Sequence, residues 1–245
     1  MKTHPLIPGI AILVWISAVN IPYIHLMNIF DYDDILREPA ADVLARFALG
    51  GNELILTWYA FGLMALAFAP LLFLLSDLFP EEIRQKSWYK GAVMAGGVSA
   101  AVQAAGLLRW AFVIPILARH SSELTAGGAE QQGVILLYEA VHQFGGVVLG
   151  ETIGQLLLAW WTFGFSLALW QSKLVPRFFA GVGFATVLLW FGVQGELLST
   201  VLEGFTAPEV APVAFIGWQL WLLVVGILLI GKGIWMLKVG RKAIS

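Results

Sequence analysis

Six predominantly apolar stretches, roughly 6–27, 53–76, 91–118, 144–170, 178–202 and 212–237, constrain this chain more than any other feature. Each reaches the length of about 20 residues that crosses a bilayer core at about 1.5 Å rise per residue. Within hydrocarbon a single segment satisfies its own backbone N–H and C=O groups only as a helix. The expected fold is therefore all-α: an integral membrane bundle of six transmembrane helices forming one membrane domain over 1–245. Composition agrees, with 59% hydrophobic and only 12% charged residues, about half the charged fraction of a soluble domain. The eleven Trp and sixteen Phe suit interfacial belts as well as packing. The first stretch is read as an uncleaved span, because the segment before it is only MKTHP and the apolar run continues past Ala18. With no Cys, disulfides, thiolate metal sites and Cys nucleophiles are excluded.

Loop charge orients the bundle. Lys2, Arg84, Lys86, Lys90, Lys173, Arg177, Lys238, Arg241 and Lys242 fall on one side of a six-span arrangement. Arg37, Arg46 and Arg119 fall on the other, while Arg109 and Lys232 lie within spans. By the positive-inside rule both termini are cytoplasmic, and the expected location is the inner membrane of a bacterial cell. A net charge of −2 with cations scattered in short loops leaves no footprint for nucleic acid.

The longest connection, 28–52, contains EPAADVLARFALGG. Val43, Leu44, Phe47 and Leu49 recur there at helical spacing before Gly50 and Gly51. The pattern predicts a short amphipathic helix on the outer surface between spans one and two. In the inner loop LFPEEIRQKSWYK, a helical turn is expected after Pro80, with Glu81 and Glu82 at its favourable N-terminal end.

Spans three and four carry small residues at four-residue spacing. Gly97, Ala101 and Ala105 form one stripe on span three, with Ala100 and Ala104 beside it, and Gly146, Gly150 and Gly154 form another on span four. Such stripes let two helix backbones approach closely. The helical pattern of span four resumes near Gln131. If unbroken to Trp170 it would run about 60 Å, twice the bilayer core. A bend at Gly145–Gly146 is therefore expected, laying 131–144 along the interface.

The polar residues within the spans share a depth. Counting about 1.5 Å per residue, Arg109 lies about 7 Å, and Glu151 and Glu196 each about 9 Å, to the outer side of their span centres. Asn20, Thr57, Tyr59, Gln194 and Gln219 also fall in the outer halves, while the inner halves are almost purely apolar. An ionisable side chain inside a membrane is costly and marks a candidate functional site. The sequence thus predicts an outer-leaflet polar pocket built on Arg109, Glu151, Glu196, Gln155, Gln194 and Asn20. Arg109 needs a carboxylate at its depth, and Glu151 and Glu196 are the two available. One carboxylate is left over, expected to hold a proton or meet a cation. Two readings of the Arg stand side by side: a clamp between spans three and four, or a site for a carboxylate or phosphate head group.

Glu139 and His142 form an E-x-x-H pair, a spacing used in di-metal carboxylate bundles. Those sites need a second such pair, which this chain lacks. His25, Glu53 and Glu151 are the residues that could complete a single-metal site with Glu139 and His142. On an ideal α-helix His142 and Glu151, nine apart, face opposite ways, so they converge only where the helix is disrupted. His25 and His142 lie near the outer surface, where haem is sometimes held, but nothing else in the chain supports haem. No cofactor is predicted. The chain shows no phosphate-cradling glycine loop, dinucleotide fingerprint or H-E-x-x-H motif. The expected partners are the lipid bilayer, a lipid or small amphiphile as ligand, and a protein partner or a second copy of the chain. The leading function is binding of a small amphiphile, lipid head group or ion, in sensing or in support of a partner. The alternatives are a secondary transporter and a metal-dependent integral-membrane enzyme.

Three strings carry a resemblance: AADVLARFALGGNELILTWYAFGLMALAFAPLLFLL, GLLRWAFVIPILA and EAVHQFGGVVLGETIGQLLLAWW. Across roughly 6–237 the chain resembles a bacterial family of polytopic membrane proteins, domain of unknown function 4386. Its most specific pieces are the Arg-Trp at 109–110 and the Gly-Glu-x-x-Gly at 150–154. The resemblance implies about six spans in a bacterial inner membrane and brings no activity or catalytic residues with it.

Overall fold

The computed structural model describes residues 3–32 and 34–242, with side chains through residue 239. Lys2 and the side chains of Arg241 and Lys242, which enter the loop charge discussed above, lie outside the described residues. The described chain is helical throughout, with no strand. In order it forms α1 (Leu6–Phe30), a 3₁₀ turn (Asp34–Arg37), α2 (Ala40–Leu66), α3 (Phe68–Ser76) and α4 (Glu81–Arg84). Then come α5 (Ser87–Phe112), α6 (Ile114–Glu123), α7 (Ala129–Val141), a π-helical segment (His142–Ile153), α8 (Gly154–Ser172), α9 (Arg177–Ser199) and α10 (Ala211–Lys242). Among the described residues six helical stretches are long and apolar enough to cross a membrane: Leu6–Phe30, Ala40–Ser76, Ser87–Glu123, Ala129–Ser172, Arg177–Ser199 and Ala211–Val239. The protein is thus a multi-pass helical membrane protein with the expected number of candidate spans. Three of them run well beyond the apolar windows, because apolarity marks the part suited to lipid and not where the helix ends.

Local chemistry explains the interruptions. Pro70 removes the N–H that would bond to Leu66, and the helix restarts at Phe68. Pro115 does the same toward Ala111, between α5 and α6. In α2 the break is Gly51, at φ 56° and ψ −149°, a conformation glycine reaches without a Cβ clash. Residues 40–50 are helical up to this kink, and α2 continues beyond it. The apolar face of 40–50 differs from expectation at one place: Val43, Leu44 and Phe47 are buried, but Leu49 is 89% exposed. The buried three point into the protein, with Phe47 meeting Phe30 at 5.7 Å and Trp110 at 5.8 Å. The turn after Pro80 forms as expected, and Arg84 joins it to Asp77 at 3.1 Å.

Helical winding is not broken at Gly145–Gly146. Helical structure continues from Ala129 to Ser172, and the chain widens over His142–Ile153 into i→i+5 bonding in place of breaking.

Contacts gather into two compact units. One holds Ala18–Leu66 and Ala101–Ile153; the other holds Met1–Ser17, Ala67–Ala100 and Gly154–Ser245. The first unit has an aromatic core: Trp58 stacks on Trp110 at 4.9 Å, and Tyr32 meets Trp58 edge-on at 5.0 Å. The second is built on α8, α9 and α10, with Trp161, Phe165 and Trp218 around Phe68. Two of its buried polar groups find partners within it: Trp218 Nε1 donates to Thr162 Oγ1 at 2.9 Å, and Ser99 Oγ to the Gly154 carbonyl at 2.7 Å.

Candidate functional site

The first unit places Arg109 near the end of α5, only 8% exposed. Taking a guanidinium out of water is costly unless each of its donors is answered. Here the answer is partial. One terminal nitrogen donates to the Gly106 carbonyl on its own helix, and the other lies 3.5 Å from His142 Nδ1. The guanidinium also sits over the Trp110 ring at 5.3 Å, a favourable cation–π arrangement. Glu151 is close enough to act on it electrostatically. Its Nε is buried without a hydrogen-bond partner.

The π-helical segment makes room for this cation. A methyl group at position 146 would overlap the guanidinium, its carbon 2.9 Å from Arg109 Cζ. A methyl on Gly106 would lie 2.7 Å from the Gly145 carbonyl oxygen and 3.0 Å from Gly150 Cα. In the second unit Ser99 meets Gly154. The glycine face of span four thus faces span three at Arg109, Gly106 and Ser99. The matching stripe expected on span three does not pack this way. Gly97 has open space around it, and Ala101 and Ala105 are exposed, whereas Ala100 and Ala104 are buried. The stripes Gly97–Ala101–Ala105 and Ala100–Ala104 have equal spacing and adjacent registers, so spacing alone could not choose between them.

The wide helix also changes which residues share a face. A turn closed by i→i+5 bonds holds about 4.4 residues, so nine residues make about two full turns. His142 and Glu151 therefore come to the same side of a continuous helix, the convergence that an α-helix denies them. His142 stacks on Tyr138 at 5.6 Å and meets the Trp110 edge at 6.2 Å. An arginine only donates, so the Nδ1 facing it acts as acceptor and leaves Nε2 as the ring's donor.

Beside this cluster is a cleft of about 350 Å³, lined by Tyr138, Glu139, His142 and Gln143 and by residues 36–40 at the end of the 3₁₀ turn and just after it. His142 connects the two, touching Arg109 and lining the cleft. Tyr138, Gly106 and the 36–40 wall were not singled out from sequence, and Trp110 stood out only within the Arg-Trp pair that carries the resemblance. Of these Tyr138 had a signal, standing four residues before His142 on one helical pattern.

The other expected site residues divide. Asn20 is half-buried in the same unit as Arg109 and Glu151, while Gln155, Gln194 and Glu196 belong to the second unit. There Gln194 Nε2 lies 3.5 Å from Gln155 Oε1. Glu196 has a duty not foreseen: Oε2 accepts the N–H groups of Val210 at 2.8 Å and Ala211 at 3.0 Å. It thus answers free amides at the start of α10, where a carboxylate also suits the helix dipole. The quartet Glu139, His142, Glu151 and His25 is not assembled into one cluster. Among the described residues no three of His, Asp or Glu gather closely enough to hold a metal. His25 instead bonds Glu53 at 2.9 Å, and Glu139 is exposed.

No curated protein and no solved structure matches the chain. A family model does, over residues 7–226, and that span includes all of the arrangement around Arg109. The protein belongs to the family described as Domain of unknown function (DUF4386).

Proposed function

We propose that this protein binds a small amphiphile through an anionic or hydrogen-bond-accepting head group at Arg109, in sensing or in support of a partner protein. The observation that carries the reading is the buried guanidinium with an unanswered Nε, held in a glycine-lined widening of the helix. Unanswered buried donors are costly, and an acceptor from a ligand removes that cost. His142 links this donor to the adjoining cleft, whose volume of about 350 Å³ is at the small end of ligand pockets. A head group fits that space, with its apolar portion left to the bilayer. The orientation that goes with the reading places both termini in the cytoplasm and the Arg109 site in the outer leaflet of a bacterial inner membrane, on the strength of loop charge.

Titration of the detergent-purified protein with a short-chain phosphatidic acid, followed by native mass spectrometry, tests this. Binding should weaken at least tenfold in Arg109→Gln. Equal binding by the native protein and this variant would sink the reading.

A secondary transporter is the second reading, favoured by the interruptions in spans two and three. Broken helices near a bound solute are a common feature of transporters. Proton- or sodium-coupled uptake into proteoliposomes would move this reading to the front.

A further inference from the structure

A second polar feature lies wholly in the unit that does not contain Arg109, so it stands or falls separately from that site. The turn between α8 and α9, together with α10, borders an open pocket of about 760 Å³. Three cations line it, Lys173, Arg177 and Lys232, and no carboxylate does. Among the described residues none of the three takes part in an ion pair. Two are steadied by aromatic rings: Arg177 lies over Trp170 at 5.5 Å and Lys232 over Trp235 at 5.1 Å. The rest of the wall is largely apolar, with Leu174, Val175 and Ile227 prominent.

Lys173 adds an independent observation. It closes α8 at φ 54°, its N–H bonding the Leu169 carbonyl at 3.1 Å. That left-handed position is where helices commonly place glycine, since a side chain there is strained. Here the strained position holds a lysine, and that residue lines the pocket.

We propose that this pocket binds an anionic phospholipid, its phosphate among Lys173, Arg177 and Lys232 and its glycerol and acyl chains along Leu174, Val175 and Ile227. Three like charges without a counter-ion call for an anion. Basic pockets between transmembrane helices are suited to lipid head groups, and the first turn of α9 offers further N–H donors. A free inorganic anion would leave the apolar wall uncovered, which is why the lipid is preferred.

The test uses the full-length protein in neutral detergent, with phosphatidylglycerol, phosphatidylcholine and inorganic phosphate as probes in native mass spectrometry. Phosphatidylglycerol should bind more tightly than phosphatidylcholine, and the preference should fall about fivefold for each cation removed. K173G/R177Q/K232Q should abolish it, while K173R/R177K/K232R should keep it. The K173G change is native to the backbone at that position, so it tests charge without disturbing the fold. Should the triple variant fail to fold, K232Q decides alone. An equal response to the two lipids, or a preference unchanged in the neutral variants, overturns the proposal. Displacement of phosphatidylglycerol by inorganic phosphate would overturn the lipid in favour of a free anion.

Discussion

Span four contains two different helices in one continuous run. From Gly154 onward, α8 is an ordinary α-helix whose Trp161, Thr162 and Phe165 are buried against apolar and aromatic neighbours. From His142 to Ile153 the same helix is π-wound, and it faces a buried arginine. Both halves use glycine, for different ends. Gly164 lets α8 sit directly against Ala92, while Gly146 makes space for a guanidinium. A helix packed on hydrocarbon keeps its tightest winding, because close contact is the gain there. A helix beside a desolvated charge accepts a rarer winding. π-bulges are found at functional sites for such reasons.

The sharpest way to break this comparison is to add side chains at the two glycines. Gly146→Val should cost about 3 kcal/mol by overpacking against the Arg109 side chain, and should weaken ligand binding at least tenfold. Gly164→Ala should cost about 1–2 kcal/mol against Ala92 and leave ligand binding unchanged. Thermal unfolding in detergent reads the first quantity and native mass spectrometry the second. If both variants spare binding, the widened helix has no part in the site.

How far these regions could be read from sequence differs with the physics behind each. The spans were legible because hydrocarbon imposes a length and an apolarity that residue types report directly. The kink at Gly51 was legible too, because only a glycine is at ease at that φ. The π winding was not. It depends on Arg109, 33 residues before His142, needing room that Gly146 supplies, and no local pattern encodes such a contact. Glu196 was singled out as an intramembrane charge. Its service to the amides at Val210 and Ala211 depends on how the 200–210 loop returns, which periodicity does not specify. The choice between Gly97–Ala101–Ala105 and Ala100–Ala104 was a tie in spacing that only packing broke.

Thr162 offers a smaller test on the α8 side. Its hydroxyl accepts from Trp218 Nε1 in a fully buried setting. Thr162→Val keeps the shape and leaves the indole N–H unanswered, which should cost about 2 kcal/mol. An unfolding midpoint unchanged from the native protein would mean that the indole finds another acceptor. Smaller again is Glu196→Gln. The amide still accepts from Val210 and Ala211 but loses its charge at the N-terminus of α10, for about 0.5–1 kcal/mol. Amide exchange should quicken in the first turn of α10 and stay unchanged around Arg109.

The smallest expected effect on stability separates the two readings of Arg109. Arg109→Met fills similar space with an apolar chain and removes a desolvated cation whose Nε has no partner. Replacing a buried charge by a hydrophobic residue is often neutral or stabilising, so the change should stay within about 1 kcal/mol. Glu151, which Arg109 would leave behind, is half-exposed and can regain water. Head-group binding, by contrast, should vanish. A clamp between spans three and four behaves in the opposite way: breaking it would cost about 3–5 kcal/mol, with any loss of binding following from the loss of fold. Unfolding and binding measured on the same preparation of Arg109→Met therefore decide between a residue that holds the helices together and one held in place by them for a ligand.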